Sequence, residues 1–130
     1  MSKDICFLGE VNRSLSKHLL YDHSIDYLED DSGLIINTEK GLVIFTGCGH
    51  SGILEIIKKG KEIYLNDKVY ALIGGFHLKK ISDFESGLLE TLRKIPIIYT
   101  GHCTKDHVIE YLKEQDLPIH TLKTKMRIEI

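Results

Sequence analysis

The sequence lacks the features that mark several protein classes. Its three cysteines are odd in number and without framework spacing, which argues against a disulfide scaffold and predicts a reducing compartment, with the cytoplasm expected. Its longest apolar runs hold about five or six residues, whereas a membrane-spanning helix needs about 20. The net charge is −2, so we expect neither a nucleic-acid partner nor an acidic membrane partner.

No repeat, linker or low-complexity segment divides the chain. Its 130 residues suffice for one compact domain and are too few for two ordinary ones, so we expect a single domain over residues 1–130. Apolar residues make up 42% and charged residues 28%, which is ordinary for a globular protein.

Alternating apolar and amphipathic segments predict an α/β fold. The strands are expected at 5–8, in a hairpin at 34–38 and 42–46, and at 69–73, 97–99, 119–122 and 126–130. The helices are expected at 51–59, ended by Gly60, at 82–94, capped by Ser82 or Asp83, and at 104–115, capped by Thr104. The pattern at 10–32 indicates a loop. Right-handed crossovers would place successive strand ends on one edge of the sheet, where ligands bind in such folds.

Three histidines follow the ends of predicted strands. Glycine stands shortly before each of His50, His77 and His102, and glycine permits the sharp exit from a strand that a close approach needs. Taken singly, each histidine fits a cap or a solvated loop residue. Together they predict one shared functional edge, and imidazole there can bind Zn, Fe or Mn.

The cysteines allow two interpretations. Cys48 and Cys103 each fit either a metal ligand or a small buried apolar residue, and the side chain of Cys103 is expected to point away from that of His102. Cys6, inside an apolar run, is expected in the core. His107 is expected on a helix surface.

Three segments in order resemble one branch of the metallo-β-lactamase superfamily: Thr46-Gly47-Cys48-Gly49-His50-Ser51-Gly52-Ile53, Ala71-Leu72-Ile73-Gly74-Gly75-Phe76-His77-Leu78 and Gly101-His102-Cys103-Thr104. The branch includes dihydropterin-linked ribofuranosylaminobenzene 5′-phosphate synthases and related metal-dependent hydrolases. Leu8-Gly9-Glu10-Val11-Asn12-Arg13 also resembles its T-G-E-I-P-R segment. Asn12 at the branch's proline and Lys105 at its usual glycine are departures.

The resemblance implies an α/β fold that is half of a metallo-β-lactamase αββα sandwich, a mixed β-sheet with helices on one face. It implies the C-terminal half, because the family's H-x-H-x-D-H motif belongs to the first half and does not occur in this sequence. That motif supplies most of the family's metal ligands. The site here is therefore expected to be incomplete.

The resemblance also implies roles for individual residues. His102 and His50 would be metal ligands, with Cys48 as a further ligand candidate. His77 would either contact the substrate or support the metal ligands from behind. The charge of Lys105 would either favour an anionic, phosphorylated small molecule or merely disfavour the metal. The cofactor would be a divalent metal, Zn first and Fe or Mn as alternatives, absent from the isolated chain. No catalytic residue is assigned.

Two functions remain open. In the first, the chain is the C-terminal part of a metal-dependent hydrolase or of a synthase-like transferase, and it is inactive until a separate chain supplies the N-terminal half. In the second, the chain is a non-catalytic half-domain that self-associates as a binding or structural module. Half a sandwich leaves one apolar sheet face uncovered, so both predict an oligomer.

Overall fold

A computed structural model of the chain describes residues 5–9, 18–19, 25–26 and 33–130. The strands are β1 (Ile5–Phe7), β2 (His18–Leu19), β3 (Ile25–Asp26), β4 (Gly33–Thr38), β5 (Gly41–Thr46), β6 (Val69–Gly74), β7 (Ile97–Thr100) and β8 (Ile119–Thr121). The α-helices are α1 (Ile53–Tyr64), α2 (Leu88–Arg93) and α3 (Asp106–Glu114), and Ile81–Asp83 form a 3-10 turn. None of the helices that the structure describes has the length and apolar character of a membrane span.

Six strands form one mixed sheet in the order β1-β4-β5-β6-β7-β8, and β2 pairs separately with β3. The predicted hairpin is confirmed, since β4 and β5 pair antiparallel, and β5 to β8 then run parallel. Thr46 pairs with Gly74, and Gly74 pairs with Thr100. Three parallel strands therefore end in line, which confirms the common edge predicted from the order of the segments.

The main core lies between the helices and one face of the sheet. The predicted apolar stripe of α1 and that of α3 are both buried there, against Ile35, Ile44, Leu72 and Ile98 of the sheet. The buried residues of α2 join the same core. All three helices thus cover a single face, as the predicted fold class requires.

The opposite face of the sheet is apolar too. Val43, Ala71 and Ile73 are buried there, and partly buried apolar residues surround them: Ile36, Phe45, Tyr70, Ile97, Tyr99, Leu122 and Ile128. We call these ten residues the open face. Within the described ranges, no helical residue belongs to this cluster. The open face is therefore a candidate contact surface.

The first helix does not end at Gly60. It continues to Tyr64 and ends at Leu65, which takes the left-handed conformation at φ 50°. Gly60 is instead buried at the closest approach of α1 to the sheet, where an added Cβ would lie 3.1 Å from Ile35 Cδ1 and 3.2 Å from Ile44 Cδ1. The glycine serves packing rather than capping.

The caps predicted for the other helices are also wrong. The carboxylate of Asp83 accepts hydrogen bonds from the N–H groups of Lys79 and Lys80, both at 3.0 Å, and closes a turn before α2 begins at Leu88. Thr104 is buried, and its hydroxyl bonds away from α3, which begins at Asp106. Both side chains hydrogen-bond to loop groups rather than to the N-termini of the helices.

Two further expectations fail near the chain ends. Residues 126–130 form no strand, because Leu122 makes the last bond to β7 and a turn follows, with the Met126 N–H donating to the Lys123 carbonyl. Cys6 is half-buried rather than in the core. Of the loop predicted at 10–32, only β2 and β3 lie inside the described residues, which leaves most of that prediction outside them.

Gly60→Leu is expected to lower the free energy of unfolding by about 1–3 kcal/mol, because the side chain would enter the closed space against Ile35 and Ile44. The matched control is Glu62→Leu, at an exposed position of the same helix, which should change stability by less than about 0.5 kcal/mol. Urea unfolding followed by circular dichroism measures both. A Gly60→Leu variant as stable as the control would contradict the close approach.

Candidate metal centre

The loops after β5, β6 and β7 form the edge that holds the predicted site. The loop after β5 meets the loop after β6 through the Gly75 N–H, which donates to the Gly47 carbonyl at 2.9 Å. Gly49 takes φ 71°, and a Cβ there would lie 2.6 Å from the Gly75 carbonyl oxygen. Glycine is therefore required where these two loops cross.

Buried hydroxyls join the loop after β6 to the loop after β7. The Thr104 hydroxyl accepts a hydrogen bond from the Phe76 N–H at 3.0 Å and shares another with the Thr100 hydroxyl at 2.8 Å. The Lys105 N–H donates to the Leu78 carbonyl at 3.0 Å. These bonds fix the backbone on both sides of His77 and His102.

A thiol–imidazole cluster lies at the centre of this edge. Cys48 Sγ is 3.1 Å from His102 Nε2. Cys103 Sγ donates to the Cys48 carbonyl at 2.9 Å and accepts from the His77 N–H at 3.2 Å. The possible ligand atoms of Cys48, His102 and Cys103 all lie within 4.8 Å of one another.

The other two predicted histidines form a second group on the same edge. The rings of His50 and His77 meet edge to face, with centroids 4.4 Å apart and an interplanar angle of 72°. The structure thus brings Cys48 together with His102, and His50 together with His77. Their roles as ligands or substrate contacts stay predictions, as does that of Lys105, which is exposed just before α3.

Cys103 corrects one expectation. Its thiol lies beside the imidazole of its neighbour His102 rather than pointing away. The physical reason is the backbone at His102, which takes φ 56°. Side chains alternate between two sides only along extended chain, and a left-handed residue breaks that alternation. Sequence reasoning therefore left Cys103 out of the ligand set.

Two of the three histidines have a left-handed backbone, as do three residues away from this edge: Leu65, Asp116 and Lys125. His77 takes φ 49° and His102 takes φ 56°, in the left-handed region that costs an L-residue about 1–2 kcal/mol. Such conformations persist where surrounding contacts enforce them, and they cluster at functional sites. Both imidazoles are therefore held in place at a cost to stability.

Burial shapes the protonation of the site. It raises the pKa of the Cys103 thiol to about 11, helped by the nearby Cys48 and opposed by the hydrogen bond from the His77 N–H. A metal bound by this sulfur would have to displace a proton. Near the start of α1, burial and the charge of Glu55 raise the pKa of Glu85, whose carboxylate borders Gly52. Glu85 is distant in sequence from the turn it borders, and no motif indicated it.

The donor set suits a soft or borderline divalent metal. Thiolate sulfur and imidazole nitrogen are the ligands that Zn²⁺ prefers, and in a tetrahedral site they stand about 3.5–3.8 Å apart. The spacing within 4.8 Å at Cys48, His102 and Cys103 needs only small side-chain movements to match. Three such ligands would leave one position of a tetrahedral site for a further ligand.

A cleft of about 530 Å³ lies elsewhere, along the outer side and the end of α1, and its lining includes Leu54, Lys61 and Thr91. None of the five predicted site residues lines it. We place the candidate site at the edge formed by the loops after β5, β6 and β7, because the possible metal ligands converge there.

His102→Gly is expected to be more stable than His102→Ala by about 1–2 kcal/mol, since both lack the imidazole and only alanine carries a Cβ at φ 56°. His107, exposed on α3, provides the control pair. There the alanine variant should have a free energy of unfolding about 1 kcal/mol higher than that of the glycine variant. Thermal or urea unfolding of the four variants measures the two differences. The same order at both positions would contradict the left-handed backbone.

No protein-family model matches the chain. It is 41% identical over 106 residues to the 7,8-dihydropterin-6-methyl-4-(β-D-ribofuranosyl)-aminobenzene-5′-phosphate synthase of Methanocaldococcus jannaschii, a match over 76% of this chain and 36% of the synthase. It is also 41% identical over 90 residues to the uncharacterized protein MJ0448 of that organism, covering 64% of this chain and 32% of that protein. The chain thus spans about a third of the curated relatives it matches.

Its fold matches the crystal structure of Tm1679, a metal-dependent hydrolase of the β-lactamase superfamily. The TM-score is 0.76 and the sequences are 25% identical, over 100% of this chain and 55% of that one. The predicted resemblance and fold class are confirmed at this level. The chain has the fold of about half of such a protein.

Proposed function

Because the chain shares the fold of about half of a metallo-β-lactamase superfamily protein, we propose that it is the C-terminal part of a metal-dependent hydrolase. It contributes one side of a divalent metal site. A segment outside this sequence, carrying H-x-H-x-D-H, completes the site. The observation that carries the proposal is the approach of Cys48 Sγ to His102 Nε2 at 3.1 Å, at the edge where three parallel strands end.

His102 and Cys48 would hold the metal from this side, and the sulfur of Cys103 lies within 4.8 Å of their ligand atoms. We propose His50, two residues after Cys48 on the same loop, as the further ligand; its side chain would have to move, because its ring now contacts His77 and it is not among the residues whose ligand atoms lie within 4.8 Å of one another. A bound divalent metal supplies Lewis acidity and a hydroxide nucleophile near neutral pH. The thiol ligands favour Zn over Mn, while imidazole ligands alone also suit Fe.

The substrate we propose is a phosphorylated small molecule. The name of the synthase relative includes a 5′-phosphate, and the exposed Lys105 lies at the start of α3, just after the cluster. His77 would contact the substrate. Whether the reaction is hydrolysis or a synthase-like transfer depends on the completing segment, because both occur on related chains. The three free cysteines fit a reducing compartment such as the cytoplasm.

The open face favours a second candidate function. Seven of its ten apolar side chains are only partly buried, and an apolar surface of that kind favours a partner layer. In this alternative, a second copy of the chain covers the open face, and the protein is a non-catalytic binding or structural module.

Zinc analysis separates the two candidates. The chain purified alone should hold less than stoichiometric zinc, and coexpression with the H-x-H-x-D-H half of a relative should restore one or more ions. Tight stoichiometric zinc in the lone chain would contradict a shared site. No zinc in either preparation would favour the non-catalytic module.

A further inference from the structure

Two of the three cysteines lie together at the edge formed by the loops after β5, β6 and β7. The sulfurs of Cys48 and Cys103 are within 4.8 Å of each other, although 55 positions separate the residues. Cys103 Sγ already contacts the Cys48 carbonyl at 2.9 Å. Cys6 lies on β1, far from them along the sheet order, and all three thiols are free.

We propose that Cys48 and Cys103 are a peroxide-reactive dithiol that closes reversibly into a disulfide. Cys48 is the attacking thiol, because its contact with His102 Nε2 at 3.1 Å is exposed, where peroxide can reach the sulfur, whereas the contacts of Cys103 are part-buried. Cys103 is the resolving thiol, because hydrogen bonds with the Cys48 carbonyl and the His77 N–H hold it close to its partner. Transient disulfides of this kind occur in reducing compartments.

The chemistry balances with a hydroperoxide as oxidant. The Cys48 sulfur attacks one oxygen of hydrogen peroxide, the O–O bond breaks, and a sulfenic acid forms, while the departing hydroxide takes up the thiol proton to make water. The Cys103 sulfur then attacks the sulfenic sulfur and expels a second water as the S–S bond forms. Two thiols are oxidised, and one peroxide is reduced to two waters.

Gly75 keeps side-chain atoms out of the space beside the two cysteines. A disulfide needs sulfurs about 2.05 Å apart, so the two sulfurs must approach by side-chain rotation. Gly75 lies between the two residues, where a Cβ would be 2.6 Å from Cys103 Sγ and 3.3 Å from Cys48 Cα. The absence of a side chain at Gly75 is what lets the two cysteines meet.

Closure would change the metal site. A disulfide sulfur is a poor metal ligand, so oxidation would remove Cys48 and Cys103 from the donor set and separate Cys48 from His102. This consequence rests on the proposed function, whereas the disulfide itself does not. Peroxide would then lower metal retention, and a thiol reductant would restore it.

Mass spectrometry of the full chain tests the disulfide without metal. After peroxide treatment and blocking of free thiols, trypsin should release peptide 41–58 joined to peptide 95–105, which carry Cys48 and Cys103. Dithiothreitol should separate them. Cys6, in peptide 4–13, should stay free and alkylated. Sulfinic acid on Cys48 without the joined peptides, or joining through Cys6, would overturn the proposal.

Two serine variants sharpen the test. Cys6→Ser should form the joined peptides as the unchanged chain does, and Cys103→Ser should form none and should accumulate higher oxides on Cys48. Equal sulfenic and sulfinic acid on Cys48 in the unchanged chain and in Cys103→Ser would also overturn it. A disulfide without zinc binding in the assembled protein would defeat only the proposed function, and zinc binding without a disulfide would defeat only this inference.

Discussion

Replacing His102 by alanine is expected to weaken zinc binding to the assembled protein at least about a hundredfold. The assembled protein is this chain together with the H-x-H-x-D-H half. Loss of a residue that only supports a metal ligand costs about 10–100-fold in metal affinity, and His102 is proposed as a direct ligand. Cys48 would lose its imidazole neighbour at the same time. Competition with a calibrated zinc chelator measures the affinity.

His107→Ala is the matched control for this experiment. It removes the same side chain five positions later, from the exposed side of α3, and should leave zinc affinity within about twofold. Because alanine at His102 also carries backbone strain, His102→Gly provides a second variant without that strain. Zinc affinity retained by His102→Gly and lost only in His102→Ala would show a structural role rather than a ligand.

The chain purified alone is expected to be a dimer or larger, and Ile36→Lys is expected to raise the dissociation constant of that assembly at least about a hundredfold. Ile36 pairs with Val43 across β4 and β5, so its side chain stands within the open face. A lysine there would be buried without a partner, at a cost of several kcal/mol. Size-exclusion chromatography with light scattering over a range of concentrations measures the change.

Leu65→Lys is the control for the oligomer experiment. Leu65 is an apolar residue with 93% of its surface exposed, at the end of α1 and outside the open face. The same apolar-to-lysine change there should leave the assembly intact. Circular dichroism should show that Ile36→Lys remains folded. An unchanged chain that runs as a clean monomer at every concentration would contradict the contact role of the open face.

The sequence alone determined which segments form the strands and which strand ends share one edge of the sheet. Apolar runs of strand length alternated with amphipathic segments, and this local pattern specifies each strand without reference to the others. Glycines before His50, His77 and His102 marked the ends of three strands. Because these strands run parallel, their ends then had to share one edge of the sheet. The aligned ends at Thr46, Gly74 and Thr100 confirm that inference.

The residues at which the helices begin and end could not be predicted from the sequence, because they depend on tertiary contacts of each helix. Gly60 has the chemistry of a helix end, but it lies in mid-helix, where the sheet beneath it leaves little room for a side chain. Thr104 has the chemistry of a cap, but its hydroxyl gains more from Thr100 and the Phe76 N–H in a buried setting. Local propensity yields to such contacts.

Only the tertiary structure decided which ligand candidates meet. The sequence brought Cys48, His50, His77 and His102 to one edge but did not pair them. The pairing of Cys48 with His102, and the inclusion of Cys103, follow from the left-handed backbone at His102 and from loop contacts spanning more than 50 residues. Such contacts leave no periodic trace in a sequence, since they depend on where three separate loops cross.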